Sequence, residues 1–382
     1  MPGKNVAIVG VAESDFGTVP DRTIHELHAQ AAIGAAADAG LTKSDIDGLF
    51  SVGGVSGMHT IDLAEYLGLH PAYLDSTSTG GSSWESLVEH AVLALNAGKC
   101  KHALLVYGST ARSDVRRGWR SGDAAGAARG PGQFETPFGP TLISKYALAA
   151  RRHMHQYGTT SEQLATIAVA TRKNAARNPK AVMREPITVD NVLASRMVAD
   201  PLHLLDCCLR TDGGGAVLLT TAERARDLKK TPVWVLGEGG AESHLTMSQM
   251  EDLTVSPAKQ AAQKALGEAG VTLADIDVLQ AYDSFTITVL LTLEALGYCK
   301  PGEGGAFVED GKLAWDGALP TNTDGGGLSS NHPGMRGIFL LIEAARQLRG
   351  ESTAQVPDAK IALCNGTGGY LSHCGTVVLG RD

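Results

Sequence analysis

A layered α/β fold assembled from two copies of one β-α-β-α-β unit is predicted by three observations. One helix-turn-strand element occurs twice, apolar strand segments alternate with segments of helical period, and 382 residues are too many for one compact core. The repeat is read directly. Ala31 to Leu49 is AAIGAAADAGLTKSDIDGL, and Ala261 to Leu279 is AAQKALGEAGVTLADIDVL. In each copy an amphipathic helix closes on Ala-Gly, with the glycine suited to a left-handed cap, and Thr followed by an acidic turn leads into an apolar strand.

The flanking elements correspond as well. VAIVGVAES from Val6 and VWVLGEGGAES from Val233 are the strands that precede the repeated helices. Downstream, a Gly-rich turn opens a helix in each half (Ser82 to Asn96; Met335 to Arg349), and buried-type strands follow, HALLVYGST from His102 and KIALCNGTG from Lys360. The halves are therefore expected at 1–222 and 231–382, joined by the charge-rich ERARDLKKTP of Glu223 to Pro232. Mixed sheets covered by helices on both faces follow from the alternation. Residues from Ser109 to about Arg196 have no counterpart and form an insertion. Its RRGWRSGDAAGAARGPGQFETPFGP run reads as a long surface excursion of the kind that covers a site, ahead of a helix near Lys145 to Tyr157.

Composition narrows the function classes. Hydrophobic residues at 43%, charged residues at 19% and a net charge of -8 describe an ordinary globular chain, not a basic surface for nucleic acid. The start, MPGKNVAIVGVAES, carries too short an apolar run for a secretory signal or a membrane span, so a cytoplasmic location is expected. The six cysteines (Cys100, Cys207, Cys208, Cys299, Cys364, Cys374) form no CxxC unit, which argues against a disulfide framework and against a zinc site. VAIVGVAESDFG lacks the later glycines of a dinucleotide fingerprint. His153 and His155, two apart on a predicted helix, are poorly placed to share a metal and read as surface residues, and nothing marks the Lys145 amine as activated.

Three further stretches carry chemistry: DCCLRTDGGGAVLL at Asp206 to Leu219, GGGLSSNHPGMRG at Gly325 to Gly337, and LCNGTGG at Leu363 to Gly369. Together with the duplication, these resemble the thiolase superfamily, and within it the lipid-transfer or sterol-carrier-protein type thiolases, over essentially the whole chain. The resemblance implies a thiolase fold of duplicated βαβαβαββ halves in a five-layer αβαβα arrangement, with two central helices whose N-termini meet at the active site. A helix N-terminus offers unpaired N–H groups and a positive partial charge, which stabilise anions. In that family one tip activates a cysteine in a Cys-x-Ser-Gly turn, and the other holds a Gly-His-Pro histidine against the thioester oxygen as it becomes an enolate.

Mapped onto this sequence, Asn331-His332-Pro333 matches Gly-His-Pro, so the resemblance makes His332 the oxyanion donor. Cys364 matches the second reactive cysteine, which moves the substrate α-proton, and Gly366 and Gly368 beside it are expected to contact substrate. The departures carry more information. Ser78-Thr79-Gly80-Gly81 stands where the family has Cys-x-Ser-Gly, with Ser78 at the nucleophile position. A serine hydroxyl needs a strong adjacent base and gains far less from a helix tip than a thiol does, so Ser78 is expected to cap or to bind substrate. The family's Asn-Glu-Ala-Phe is here Tyr282-Asp283-Ser284-Phe285. Tyr282 can serve as donor or base if its surroundings lower a pKa that starts near 10, with Asp283 orienting its neighbours and Tyr370 a second phenol.

Acyl transfer needs a covalent carrier, and that residue has been exchanged. What survives is enolate stabilisation, the requirement of retro-aldol cleavage of a 3-hydroxyacyl-CoA. Some relatives of this type are side-chain-cleaving aldolases of steroid and other branched acyl-CoA thioesters that lack the nucleophilic cysteine and rely on tyrosines. The resemblance thus implies such a lyase, with coenzyme A entering as part of the substrate and no permanently bound cofactor or metal. It also implies a homodimer and a small partner bearing a zinc ribbon and an OB-like fold. A thiolase-type acyl-CoA C-acyltransferase and a non-catalytic CoA-thioester binding subunit are the alternatives.

Overall fold

A computed structural model describes residues 5–53, 57–116 and 130–382; most of the Gly- and Arg-rich run expected to cover the site, 117–129, lies outside them. Among the described residues there are eleven strands: β1 (Val6–Glu13), β2 (Gly48–Phe50), β3 (Tyr73–Asp75), β4 (His102–Ser109), β5 (Met197–Ala199), β6 (Leu202–His203), β7 (Gly213–Thr221), β8 (Val233–Glu242), β9 (Val278–Ala281), β10 (Ile361–Gly368) and β11 (His373–Gly380). The principal helices are α1 (Ile24–Ala39), α2 (His59–Leu67), α3 (Ser83–Asn96), α4 (Leu142–Tyr157), α5 (Ser161–Ala175), α6 (Ala258–Ala269), α7 (Thr286–Leu296) and α8 (Gly337–Arg349).

The large sheet runs β3-β2-β4-β7-β1-β8-β11-β10-β9. Its two wings match outward from the centre, β1-β7-β4-β2 against β8-β11-β10-β9, and meet where Ala7 and Ile8 pair with Trp234 and Val233. Pairings match too: β4–β7 and β10–β11 are antiparallel, while β2–β4 and β9–β10 are parallel. The repeated helix packs identically in both wings. Gly10 on β1 lies so close under α1 that a Cβ would collide with the Ala35 carbonyl, and Gly237 on β8 stands in the same relation to Ala265 of α6. The predicted caps are present, with Gly40 at φ 76° and Gly270 at φ 66°.

Layering follows from burial. α1 covers β1, β4 and β7, α6 covers β8 and β11, and α3 and α8 touch strands of both wings from between them. That central layer has its own core, in which Trp84, Leu87, Ile338 and Phe339 meet Ile8, Leu105, Val217, Val235, Val278 and Val377. Burying each large side chain there contributes roughly 2–3 kcal/mol.

The insertion is packed against the second wing. Asn174 of α5 donates to the Thr321 carbonyl at 2.8 Å and accepts from the Trp315 N–H at 2.7 Å. His153 of α4 corrects an expectation: it is fully buried, its ring bonded to Thr159 Oγ1 at 2.8 Å and to the Glu294 carboxylate at 3.1 Å, whereas His155 is exposed. Two-residue spacing on a helix sends these side chains to different faces, and the face that carries His153 is covered by α7.

Candidate active site

Asp283, just beyond β9, organises the region. Its carboxylate accepts the N–H of Gly327 at 2.7 Å and of Leu328 at 3.1 Å, and the Arg336 guanidinium lies 3.5 Å away. The glycine run exists because of this contact: at Gly326, with φ 60°, a Cβ would collide with the Asp283 carboxylate. Burial lifts the Asp283 carboxyl to about 6, against the opposing pull of Arg336 and the two N–H groups. The stretch at 208–211 zips the parts together. Cys208 N–H donates to the Ser284 carbonyl, Leu209 N–H to Gly327, and Thr211 N–H to His332.

Tyr282 and His332 are brought together. Tyr282 Oη lies 3.0 Å from His332 Nε2, with the rings edge to face at 5.6 Å between centroids. Both helix tips reach this pair. Arg336 N–H, at the start of α8, donates to Tyr282 Oη at 3.2 Å, and at Gly81, in the turn leading into α3, a Cβ would collide with the Tyr282 ring. His332 is fixed by its N–H donating to Thr211 Oγ1 at 3.1 Å, and Tyr107 Oη donates to the neighbouring Pro333 carbonyl at 2.6 Å.

Electrostatics assign the resting states. Burial, then the Arg336 and Arg210 charges, push the His332 imidazole down to about 4, so it is neutral at physiological pH. Burial, with Cys208, Tyr146 and Tyr107 nearby, raises the Tyr282 phenol well above 10. The lowering expected for a tyrosine base is therefore not found, and Tyr282 rests as a neutral hydroxyl. With Nε2 protonated, Tyr282 Oη accepts two N–H bonds and its own O–H is free to donate; in the other tautomer, Tyr282 donates to Nε2 and its oxygen can receive a proton. A group that alternates between these states can both remove and return a proton.

The other expected residues land elsewhere. Cys364 lies inside β10, fully buried, its thiol donating to the Leu340 carbonyl at 3.5 Å, and burial with the nearby Glu85 raises it well above 9. Nothing in those surroundings prepares it to move a substrate proton. Gly366 and Gly368 are buried under α3 and its leading turn, where a Cβ would collide with Glu85 and with the Thr79 carbonyl. Close packing explains them, not an open substrate face. Ser78 is exposed and lines a cavity of about 390 Å³ with His59 and Met335. Tyr370 is half-buried, with Lys145 Nζ 3.5 Å over its ring; Lys145 pairs with Glu135 at 2.7 Å. Tyr146 Oη donates to the Gly369 carbonyl at 3.1 Å, so α4 is pinned to the turn that carries Tyr370.

Two residues escaped the sequence reading. Arg336 sits at 0% exposure, and Glu85, on the first turn of α3, at 2% with neither carboxylate oxygen hydrogen-bonded. An arginine in the Gly-rich NHPGMRG turn and a glutamate inside the apolar SSWESLV helix were the available signals. Among the described residues, no group of three or more His, Cys, Asp or Glu side chains is placed to hold a metal ion.

Comparisons with known proteins agree with this architecture. Residues 239–381 match the family described as thiolase C-terminal domain-like. The chain is 36% identical over 381 residues to the 17-hydroxy-3-oxo-4-pregnene-20-carboxyl-CoA lyase of Mycobacterium tuberculosis, covering 96% of this chain and 98% of that one. It is 35% identical over 376 residues to an acetyl-CoA acetyltransferase of Methanothermobacter thermautotrophicus, covering 96% and 97%. The solved Ltp2-ChsH2(DUF35) aldolase superposes with a TM-score of 0.90 at 33% identity, covering 100% of this chain and 99% of that one. On its duplicated wings, its converging helix tips and these full-length relatives, the chain belongs to the thiolase superfamily.

Proposed function

We propose that the protein is a thiolase-like carbon–carbon lyase that cleaves a 3-hydroxyacyl-CoA by a retro-aldol reaction through a thioester enolate. The observation that carries this reading is the Tyr282–His332 pair, 3.0 Å apart where the tips of α3 and α8 meet. The 3-hydroxyl proton passes to Tyr282 Oη as the Tyr282 proton moves to His332 Nε2. The bond between the α and β carbons breaks, its electrons enter the thioester as an enolate, and a ketone leaves. The proton returns to the α carbon, giving the shortened acyl-CoA. The N-termini of α3 and α8 hold the enolate charge. Asp283 keeps the glycine turn in place and does not meet the substrate.

The names of the relatives support a steroid or similarly branched acyl group and coenzyme A as part of the substrate. The aldolase–DUF35 neighbour supports a small partner protein, for which we retain the zinc-ribbon and OB-like reading. β3 ends the sheet with one edge unpaired among the described residues, which supports a homodimer built on that edge. No described helix is long and apolar enough to cross a membrane.

The deciding assay offers a 3-hydroxy-3-branched acyl-CoA, and separately a 3-ketoacyl-CoA with free CoA, with and without the partner. Cleavage of the hydroxy substrate, lost by about 10²–10⁴-fold in Tyr282→Phe, is expected; turnover of the ketone alone would overturn the lyase. The acetyltransferase relative favours acyl transfer as the second reading. A stable acyl adduct in intact mass, absent in Ser78→Ala, would establish it.

A further inference from the structure

We propose that Arg336 is a positioning residue for this reaction: through its backbone N–H and its guanidinium it fixes both members of the Tyr282–His332 pair relative to each other. The inference rests on the lyase reading for its kinetic consequence but not for its geometry. Contacts from four residues converge on Arg336. Its N–H donates to Tyr282 Oη at 3.2 Å. Nη1 donates to the carbonyl and the side-chain oxygen of Asn331, the residue before His332, at 2.9 and 2.8 Å. Nη2 donates to both oxygens of Asp324 at 2.7 and 2.6 Å. Nε faces Asp283, the residue after Tyr282, at 3.5 Å.

A fully buried guanidinium is stable only when its charge and donors are answered, and Asp324 and Asp283 answer the charge. The planar fork matters here. Nη1 and Nη2 point at different chain segments, the histidine turn and the Gly-rich loop, which a single ammonium cannot serve together. Arg336 thus ties the loop after β9, the Gly-rich loop and the histidine turn to the tip of α8. A displacement of about 1 Å in a proton-transfer pair costs up to roughly 10²-fold in rate, so loosening this tie acts on turnover.

The same guanidinium lies beside His332. The charged or titratable groups that face the imidazole are Tyr282 from the end of β9, Arg336 from the tip of α8 and Arg210 from the stretch before β7. Two of the three are cationic, and both favour the neutral ring in the resting site.

Two variants test the assignment. Arg336→Lys keeps the charge and loses the fork; kcat should fall about 10–100-fold with KM changed less than about threefold, in protein whose circular dichroism is unaltered. Arg336→Gln combined with Asp324→Asn removes one positive and one negative charge together, so the net charge of the core is unchanged, and Asp283 keeps the N–H groups of Gly327 and Leu328. In ¹⁵N-histidine-labelled protein the His332 imidazole should then titrate at least about one pH unit higher than in the unmodified chain. That titration needs no substrate, so it reads the electrostatic part of the claim even if the substrate class is wrong. A residue that serves only the fold would lower thermal stability in both variants. It would leave kcat in Arg336→Lys and the His332 titration in the double variant where they were, and either result overturns the proposal.

Discussion

Replacing Glu85 by glutamine should change stability in a way that depends on pH, and by an amount the structure sets. Glu85 lies on the first turn of α3 with neither oxygen hydrogen-bonded, and Gly366 and Gly337 are without side chains where a Cβ would meet its Oε2. Burial lifts its carboxyl from 4.5 to about 8. Because the folded value is raised, the folded chain binds the proton more tightly than the unfolded one. Stability is therefore undiminished below about 4.5, falls as pH rises, and levels off above about 8. At 1.36 kcal/mol for each pH unit of difference, the loss reaches the order of 3 kcal/mol at pH 7 and of 5 kcal/mol above pH 8. Glutamine has nearly the same shape and no ionisation. Its amide carries a fixed cost of its own, but every other titrating group cancels between the two proteins. Urea unfolding of both at intervals from pH 5 to pH 8.5 reads the difference directly. The expected result is a gap that moves in favour of Glu85→Gln by several kcal/mol across that range. A gap that stays constant would falsify the reasoning, because it would mean that the carboxyl is hydrated or paired in solution.

Two other outcomes follow from the site. Cys364→Ser should leave turnover within about threefold and lower stability by about 1 kcal/mol, since the thiol meets the Leu340 carbonyl inside an apolar core that also holds the buried Glu85; a loss of about 10²-fold in kcat would return Cys364 to the reaction. Turnover should show no limb from the His332 imidazole near 6.5 and an acid limb from it near 4, because burial and Arg336 hold the imidazole down and the neutral ring is the active form. The same depression means that the unfolded chain takes up a proton first as pH falls from 6.5 to about 4, so stability from a neutral His332 is present above that window and lost within it. A pH–rate profile with a limb at 6–7 that disappears in His332→Gln would contradict this.

The fold was largely legible in the sequence. Helix period, the Ala-Gly closures and apolar strands are properties of neighbouring residues, and they place α1 with α6, β2 with β9, and α3 with α8 before any contact is known. The candidate site was legible where it rests on turn motifs, as for Tyr282, Asp283 and His332, which the fold brings together. It was not legible where burial decides. Cys364 and Gly366 stand in a stretch that reads like an active-site turn, yet the strand continues to Gly368 and α3 presses on it. His153 reads as a surface residue until Glu294, 141 positions away, comes to face it.

From its order of residues alone this chain determines a duplicated α/β architecture, a helix tip without a nucleophilic thiol, and a tyrosine and a histidine on two separate turns. Only the tertiary structure decides that those two side chains share a hydrogen bond, that Arg336 joins their turns, and that Glu85 and Cys364 lie in the core. The reason is physical. Secondary structure is encoded by residues a few positions apart, whereas proton affinity is set by the water excluded and the charges approached, and here both come from segments tens to hundreds of positions away.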